Sequence, residues 1–299
     1  MKAVLMRDTG GPEVLSLEEI ERPEPAGEEV LIKVHGASVN PVDWKRRRGF
    51  VPTQLPAVLG QDVSGTVETS HAHDFAAGDD VFGVPASGGY AELATAPAST
   101  IAIKPPGVSH EQAAAIPVAG LTAWQALFDH GGLERGQTVL IAGAAGGVGH
   151  FAVQFAKRAG ARVIGTGSSR NRDFVLGLGA DEYIDYTEQD VSTAASGVDV
   201  ALDTVGGEVT QSLLPTLREG GVLLVIAAAP PEDAARERGA RAGLVVMSPS
   251  SDQLARIAEL VAAGEVHVEI AEVLPLSEAR HAHELSEAGH TRGKIILEP

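Results

Sequence analysis

Through the first 118 residues, short apolar runs alternate with clusters of proline and glycine. Turn signals such as Gly10-Gly11-Pro12 separate the runs, and no long segment has the 3.6-residue period of an amphipathic helix. The pattern therefore predicts an antiparallel barrel or sandwich. The strand-like runs are residues 2–6, 29–34, 64–68 and 81–84.

From about residue 119 to 267 the pattern changes to strand–helix–strand. The apolar run 138–142 precedes a glycine-rich turn, and a helical stretch follows that ends near Gly160. Short apolar runs that alternate with helices predict a doubly wound parallel sheet, covered on both faces. One helix face carries Val148, Phe151, Ala152, Phe155, Ala156 and Ala159, and further strand-like runs lie at 162–165, 183–186, 198–202, 222–226 and 244–247.

The tail of the chain returns to strand-like texture at 268–273 and 295–297. A helix over 277–287 is predicted between them, with Ser277 as its N-cap. The length fits two domains. We expect one domain formed by residues 1–118 together with 268–299, and a second formed by residues 119–267.

Composition excludes several functional classes. The net charge of −17 argues against a nucleic-acid partner, which needs clustered cations. The chain contains no cysteine, so disulfides, thiolate nucleophiles and cysteine-ligated zinc are excluded. No apolar stretch approaches the roughly 20 residues that span a bilayer, and the first residues lack the apolar core of a signal peptide. We expect a cytoplasmic protein without a membrane partner.

The strongest local motif is the glycine-rich segment 143–149, between a predicted strand and a predicted helix. Small residues at this place allow the backbone to approach a pyrophosphate, whose charge the helix N-terminus favours. Ala144 replaces the first glycine of the usual fingerprint. The motif predicts a dinucleotide site; the alternative is a purely structural turn. Its binding residues would be Gly146, Gly147, Val148 and Gly149.

The next strand bears on the choice of cofactor. It runs into Ser168, Ser169 and Arg170, and no acidic residue follows until Asp173. An NAD site usually places a carboxylate here for the ribose hydroxyls, whereas hydroxyls and a guanidinium suit a 2′-phosphate. The segment therefore predicts NADPH; the alternative is an ordinary polar turn.

Several blocks in the same order give the chain a resemblance along its full length. It resembles the zinc-free quinone oxidoreductase (zeta-crystallin-like) and enone reductase branch of the medium-chain dehydrogenase/reductase superfamily. The resemblance implies a GroES-like β-barrel domain and a Rossmann-type domain with the active site in the cleft between them. The blocks are ASVNPVDWK at 37–45, LGQDVSG at 59–65, GLTA at 120–123, the glycine segment, DTVGG at 203–207 and RGKIIL at 292–297.

Departures from the alcohol dehydrogenase branch argue against catalytic zinc. Those enzymes have cysteine near the position of Asn40 and histidine after the glycine that matches Gly60, where this chain has Gln61. A zinc alcohol dehydrogenase is therefore the weaker alternative. The histidine pairs at 71 and 73 and at 281 and 283 are interpreted as surface residues, and no metal site is expected.

The resemblance implies that Asn40 and Thr122 lie near the nicotinamide. Lys45 would donate to a substrate oxygen, with a solvated surface lysine as the alternative. Arginines 46–48 are interpreted as a solvated basic turn.

Other positions are implied to touch the cofactor. Tyr186 would pack on the adenosine half, and Lys294 would reach the cofactor. Val205 and Ala227 would face the nicotinamide from strand ends. The alternatives are core packing for the apolar pair and an exposed Lys294.

These observations predict a metal-independent, NADPH-dependent oxidoreductase that transfers hydride to a small-molecule acceptor, either a quinone or an α,β-unsaturated carbonyl compound. The alternative is a low-turnover NADPH-binding redox sensor, or a bulk soluble protein of the same fold. The resemblance also implies a homodimer, formed through the last Rossmann strand around residues 244–247.

Overall fold

Strands form where short apolar runs lie between proline and glycine, and they dominate the first third of the chain. The computed structural model describes all 299 residues. Its first elements are β1 (Lys2–Met6), β2 (Leu15–Glu19), β3 (Glu29–Val39), α1 (Pro41–Arg47), β4 (Ala57–Val58), β5 (Val63–Ser70), β6 (Asp80–Gly83), β7 (Leu93–Pro97), β8 (Ile101–Ile103) and α2 (His110–Ala115).

Helices and strands alternate in the middle of the chain. Helix α3 (Pro117–Trp124) continues into a π-helical segment, Gln125–His130. Then follow β9 (Thr138–Ala142), α4 (Gly149–Arg158), β10 (Arg162–Gly167), α5 (Arg172–Gly177), β11 (Glu182–Asp185), α6 (Val191–Ala194), β12 (Val198–Asp203), α7 (Glu208–Leu213), β13 (Leu217–Val225), α8 (Glu232–Glu237) and β14 (Arg241–Leu244). The last elements are α9 (Ser251–Ala262), β15 (Ile270–Pro275), α10 (Ala279–Glu287) and β16 (Lys294–Glu298). No helix is both long and apolar enough to span a bilayer.

The chain divides into two compact units. Unit 1 consists of residues 1–121 and 249–299, and unit 2 of residues 122–248. The sequence-based division placed residues 119–267 in the second domain, whereas in the structure residues 119–121 and 249–267 lie in unit 1. Helix α9, within the latter segment, packs on β8.

Unit 1 is built on two sheets. The larger has the order β15-β16-β3-β5-β6-β8, with β7 also paired to β3, and the smaller has the order β2-β1-β4. All pairs are antiparallel except β15 with β16. Strand β3 is buried along most of its length and has neighbouring strands on both edges. The mostly antiparallel pairing agrees with the barrel or sandwich that the pattern predicted.

Unit 2 is built on one parallel sheet of order β11-β10-β9-β12-β13-β14. The order reverses next to β9, which creates the Rossmann-type switch point beyond the carboxyl ends of the strands. Strand β9 lies in the middle of the sheet and is buried over Val139–Ala142, as its continuous apolar run requires. The predicted doubly wound sheet is confirmed.

Helix α4 begins at Gly149 and ends where predicted, with Gly160 just beyond the C-cap at φ +82°. The sequence indicated a single buried face, but every residue from Gly149 to Ala156 is buried, including His150 and Gln154. A helix that is covered by neighbours on all sides does not need a polar stripe.

Two local predictions were wrong. The strand predicted at 244–247 is β14, which ends at Leu244, so only one residue of the predicted run is in the ladder. Ser277 is not an N-cap, because it lies within a 3₁₀ turn, Leu276–Glu278, and α10 begins after Glu278. Apolar composition marks a buried run but does not fix where its ladder begins and ends.

Candidate functional site

The glycine-rich segment of unit 2 forms the turn between β9 and α4, as predicted. Gly146 N donates to Gly143 O at 2.9 Å, which closes the turn. A Cβ atom on Gly149 would lie 2.1 Å from Gly143 O, whereas one on Gly146 would lie 3.3 Å from the same oxygen. Gly149 is therefore required by the fold of the turn itself, while Gly146 has nearly enough room for a side chain. The segment also contains Gly147 and Val148, the residues directly before α4.

The turn after β10 has the predicted polar character. Ser168 is half-buried, and Ser169 and Arg170 are exposed. Tyr186 follows β11 and is 57% exposed, with its backbone N–H bonded to Gly167 O at 3.2 Å. The carboxyl ends of β10 and β11 thus bring these four side chains to one corner of the sheet.

Sequence reasoning missed two residues that support this corner. Tyr183 donates its hydroxyl hydrogen to Ser168 O at 2.7 Å, and the guanidinium of Arg172 lies over its ring, 5.3 Å from the centroid. Tyr183 fits closely because a Cβ on Gly167 would lie 2.4 Å from its hydroxyl oxygen. The sequence shows two arginines here, Arg170 and Arg172. It does not show which of them packs against another side chain and which faces solvent.

A buried carboxylate holds the turn after β12. Asp203 Oδ1 accepts from the backbone N–H groups of Val205 and Gly206 at 2.8 and 2.9 Å, and Oδ2 accepts from the Thr210 hydroxyl at 2.5 Å. Val205 is held in an exposed position, 53% accessible, and a Cβ on Gly143 would lie 3.0 Å from its side chain. Val205 is therefore next to the glycine turn. Ala227 follows β13 and is half-buried.

In unit 1, Asn40 is the N-cap of α1 and is 3% exposed. Its Oδ1 accepts from Lys294 Nζ at 2.5 Å, and its Nδ2 donates to Asp62 Oδ2 at 2.7 Å. Lys294 is also 3% exposed and donates to Val39 O at 3.2 Å. The structure therefore brings together Asn40 and Lys294, which the sequence had placed in different roles. The contact of Lys294 with a cofactor stays a prediction.

Asp62 and Asp43 are fully buried carboxylates that the sequence analysis did not single out. Asp62 accepts from the Ser38 hydroxyl and from Val118 N, the latter at 2.8 Å, and lies 3.6 Å from Lys294 Nζ. An aspartate between strand-like apolar residues was the available sign in the sequence. A buried carboxylate needs polar partners, so its presence indicates a hydrogen-bonded network.

Asp43 accepts from Asn40 N at 2.9 Å and from the Tyr90 hydroxyl at 3.0 Å. Burial raises the pKa of Asp43 to about 6, although both hydrogen bonds oppose the rise. Burial also lowers the pKa of Lys294, which Asp62 partly offsets. Burial and the nearby Asp43 raise the pKa of Tyr90 well above its usual value. Buried ionisable side chains therefore surround the start of α1, and each affects the pKa of its neighbours.

Lys45 and Thr122 belong to different units. Lys45 is half-buried on α1, with Nζ 5.7 Å from the centre of the Trp44 ring. Thr122 is 6% exposed and is the first residue of unit 2. The catalytic roles of Asn40, Lys45 and Thr122 stay predictions.

Two groups interpreted as surface residues are in fact buried. Arg47 is 0% exposed and forms an ion pair with Glu287 of α10, so 46–48 is not a solvated turn throughout. His283 is also 0% exposed, whereas His281 is exposed. Residues two apart on a helix point to nearly opposite sides, so one ring of the pair faces the core. The structure contains no group of three or more His, Asp or Glu residues arranged to hold a metal ion.

Comparison with known proteins agrees with this architecture. Residues 26–106 match the alcohol dehydrogenase GroES-like domain, and residues 178–297 match the family described as zinc-binding dehydrogenase. A chloroplast envelope quinone oxidoreductase homolog of Arabidopsis thaliana is 36% identical over 97% of this chain and 95% of its own.

Two solved structures are similar along the whole chain. The quinone oxidoreductase of Coxiella burnetii has a TM-score of 0.94 and 37% identity, covering 100% of this chain and 99% of its own. The Escherichia coli quinone oxidoreductase, solved in complex with NADPH, has a TM-score of 0.92 and 28% identity, and each chain is covered completely. These findings define an NAD(P)H oxidoreductase fold of two domains. The chain belongs to the quinone oxidoreductase branch of the medium-chain dehydrogenase/reductase superfamily.

Proposed function

We propose that the protein is a metal-independent oxidoreductase that uses NADPH to reduce quinones or α,β-unsaturated carbonyl compounds. The observation that carries the proposal is the corner of unit 2 where Ser168, Ser169 and Arg170 meet without a carboxylate from β10. A 2′-phosphate accepts hydrogen bonds from hydroxyl groups and pairs with a guanidinium, whereas a carboxylate would repel it.

The glycine turn fits the pyrophosphate of such a cofactor. Gly146 and Gly147 lack side chains next to the start of α4, where backbone N–H groups favour an anion. Val205 and Ala227 provide apolar surface at the ends of β12 and β13 for the nicotinamide. Tyr186 offers its exposed ring to the adenosine half.

The reduction needs one hydride, which bound NADPH would supply, and one proton, which water or a nearby side chain would supply. A quinone is thereby converted to a hydroquinone, while an enone gains hydride at the β-carbon and a proton at the α-carbon. In both cases negative charge develops on the acceptor oxygen. The amide N–H of Asn40, the hydroxyl of Thr122 and the ammonium of Lys45 are the donors we propose for that oxygen.

The surroundings of Asn40 support chemistry without a metal. Asn40 stands where zinc-dependent relatives have cysteine, and its Oδ1 is bonded to the Lys294 ammonium. Zinc takes thiolate, imidazole and carboxylate ligands, and an amide oxygen that already accepts from an ammonium does not replace a thiolate.

The test measures the oxidation of NADPH and of NADH by absorbance, with a panel of quinones and enones as acceptors. The protein is assayed before and after treatment with a chelator. We expect NADPH to be used in preference to NADH, equally well after chelation. Failure to oxidise either cofactor with any acceptor would overturn the proposal. Tight NADPH binding without turnover would favour the low-turnover sensor instead.

The Arg170→Ala variant tests the cofactor preference. Loss of a charge-assisted hydrogen bond raises KM for NADPH by roughly 10- to 100-fold, while NADH, which lacks the 2′-phosphate, serves as the internal control. An equal effect on both cofactors would contradict recognition of the 2′-phosphate at this corner.

A further inference from the structure

Two buried charges hold the side-chain amide of Asn40 from opposite ends. Lys294 donates to Oδ1 and Asp62 accepts from Nδ2, and all three side chains are at most 3% exposed. In the proposed reaction, Asn40 is the only one of the three with an assigned role.

These contacts allow one orientation of the amide. An ammonium can only donate and an ionised carboxylate can only accept, so the oxygen of Asn40 must face Lys294 and the nitrogen must face Asp62. The flipped amide would place N–H groups against the ammonium and oxygen against the carboxylate. Both partners are fixed in turn, Lys294 by Val39 O and Asp62 by Val118 N.

We propose that Lys294 and Asp62 are positioning residues, which hold Asn40 so that its second amide hydrogen is presented to the acceptor oxygen. The inference rests on the proposed function, because it assigns Asn40 as the donor. Asp62 uses one of the two hydrogens on Nδ2, which leaves one for the acceptor. Lys294 withdraws electron density through Oδ1, and this polarisation strengthens the remaining N–H as a donor.

The kinetic test is a double-mutant cycle on kcat with Asn40→Ala and Lys294→Met. Loss of an oxyanion donor costs about 100- to 1000-fold in kcat, and we expect Lys294→Met to cost roughly tenfold or more in kcat. In the Asn40→Ala background, Lys294→Met should have no further effect, because it acts through Asn40. Additive losses, or a loss confined to KM, would overturn the proposal.

A matched control is available within unit 1. Lys104 also lies 3.6 Å from a carboxylate, Asp80, and its side chain is 10% exposed. Lys104→Met should leave kcat unchanged. If Lys294→Met does not fold, the variant Lys294→Met/Asp62→Asn removes both charges of this ion pair, and it is expected to show at least the same loss of kcat.

A second readout does not depend on activity, so it separates this inference from the proposed function. The chain has only two asparagines, Asn40 and Asn171, so selective ¹⁵N-asparagine labelling gives two side-chain NH2 groups, each with a pair of proton signals. We expect the two Asn40 hydrogens to be widely separated and slow to exchange. Lys294→Met should bring their shifts closer together and hasten their exchange, while Asn171 is unaffected. An Asn40 signal that is unchanged in Lys294→Met would overturn the inference even if the enzyme is active.

Discussion

His283 is a side chain whose burial makes the stability of the fold depend on pH. It lies in α10, its ring is edge-on to Tyr90 with centroids 5.7 Å apart, and neither ring nitrogen has a hydrogen-bond partner. Burial and, to a lesser extent, the charge of Arg47 lower the pKa of His283 to about 3, against an opposing effect of Glu287. In the unfolded chain the same group has a pKa of 6.5.

The sign of the effect follows from these two values. Well above pH 6.5 the ring is neutral in both the folded and the unfolded state, so its titration does not change the free energy of unfolding. As the pH falls from 6.5 towards 3, only the unfolded chain takes up the proton, and the folded state loses stability.

The His283→Leu variant should lose less stability in acid than the original chain. Between pH 7.5 and pH 5 the loss is expected to be about 2 kcal/mol smaller, measured by urea unfolding at both pH values. His281→Leu is the matched control, since it removes an exposed histidine from the same helix. Parallel acid losses in His283→Leu and the original chain would contradict the prediction.

At the scale of one element, the glycine turn separates residues that the fold requires from residues that the ligand requires. A Cβ on Gly149 meets the backbone oxygen of Gly143 at 2.1 Å, and backbone cannot move aside cheaply. A Cβ on Gly146 meets that oxygen at 3.3 Å, which a small shift relieves.

Gly149→Ala is therefore expected to lower the free energy of unfolding by about 1–3 kcal/mol and to weaken NADPH binding as well. Gly146→Ala should weaken NADPH binding with little change in stability. Thermal melts and titration with NADPH measure the two effects. Gly177→Ala, at a helical position with no atom near the added Cβ, controls for the loss of a glycine alone. Equal destabilisation by both turn variants would show that the distinction is wrong.

Patterns within one element could be predicted from the sequence, whereas contacts between distant elements could not. The strand Thr138–Ala142 was predicted at its observed bounds because a fully buried parallel strand is a continuous apolar run. Arg47 was not recognised as buried, because its partner Glu287 is 240 residues away in α10. Nothing local to α1 distinguishes a cation that faces solvent from one that faces a distant carboxylate.

The same limit applies to the candidate site. Its motifs, including Asn40 and the glycine turn, are local and could be found in the sequence. The link from Asn40 to Lys294 spans 254 residues and depends on the pairing of β16 with β3, which no local pattern encodes. The network behind Asn40 therefore emerged only from the three-dimensional structure.

At the scale of the whole molecule, the two edge strands of the parallel sheet, β11 and β14, each lack a second partner strand within the chain. Strand β14 pairs only with β13, so its other edge presents free backbone groups. Leu244 is 50% exposed and Val246 is 70% exposed beside it. An apolar edge of this kind is prone to pair with another chain, and this observation supports the homodimer that the family resemblance implies.

The dimer prediction is tested by light scattering coupled to size exclusion. We expect a mass of twice 30.9 kDa at micromolar concentration. Val246→Glu should reduce the mass to that of one chain, because a charge beside the edge would have to be desolvated in the interface. Val273→Glu is the matched control, since Val273 is 45% exposed and lies in unit 1. A single-chain mass for the unsubstituted protein would refute the dimer. A dimer that persists in Val246→Glu would show that the interface does not lie at β14.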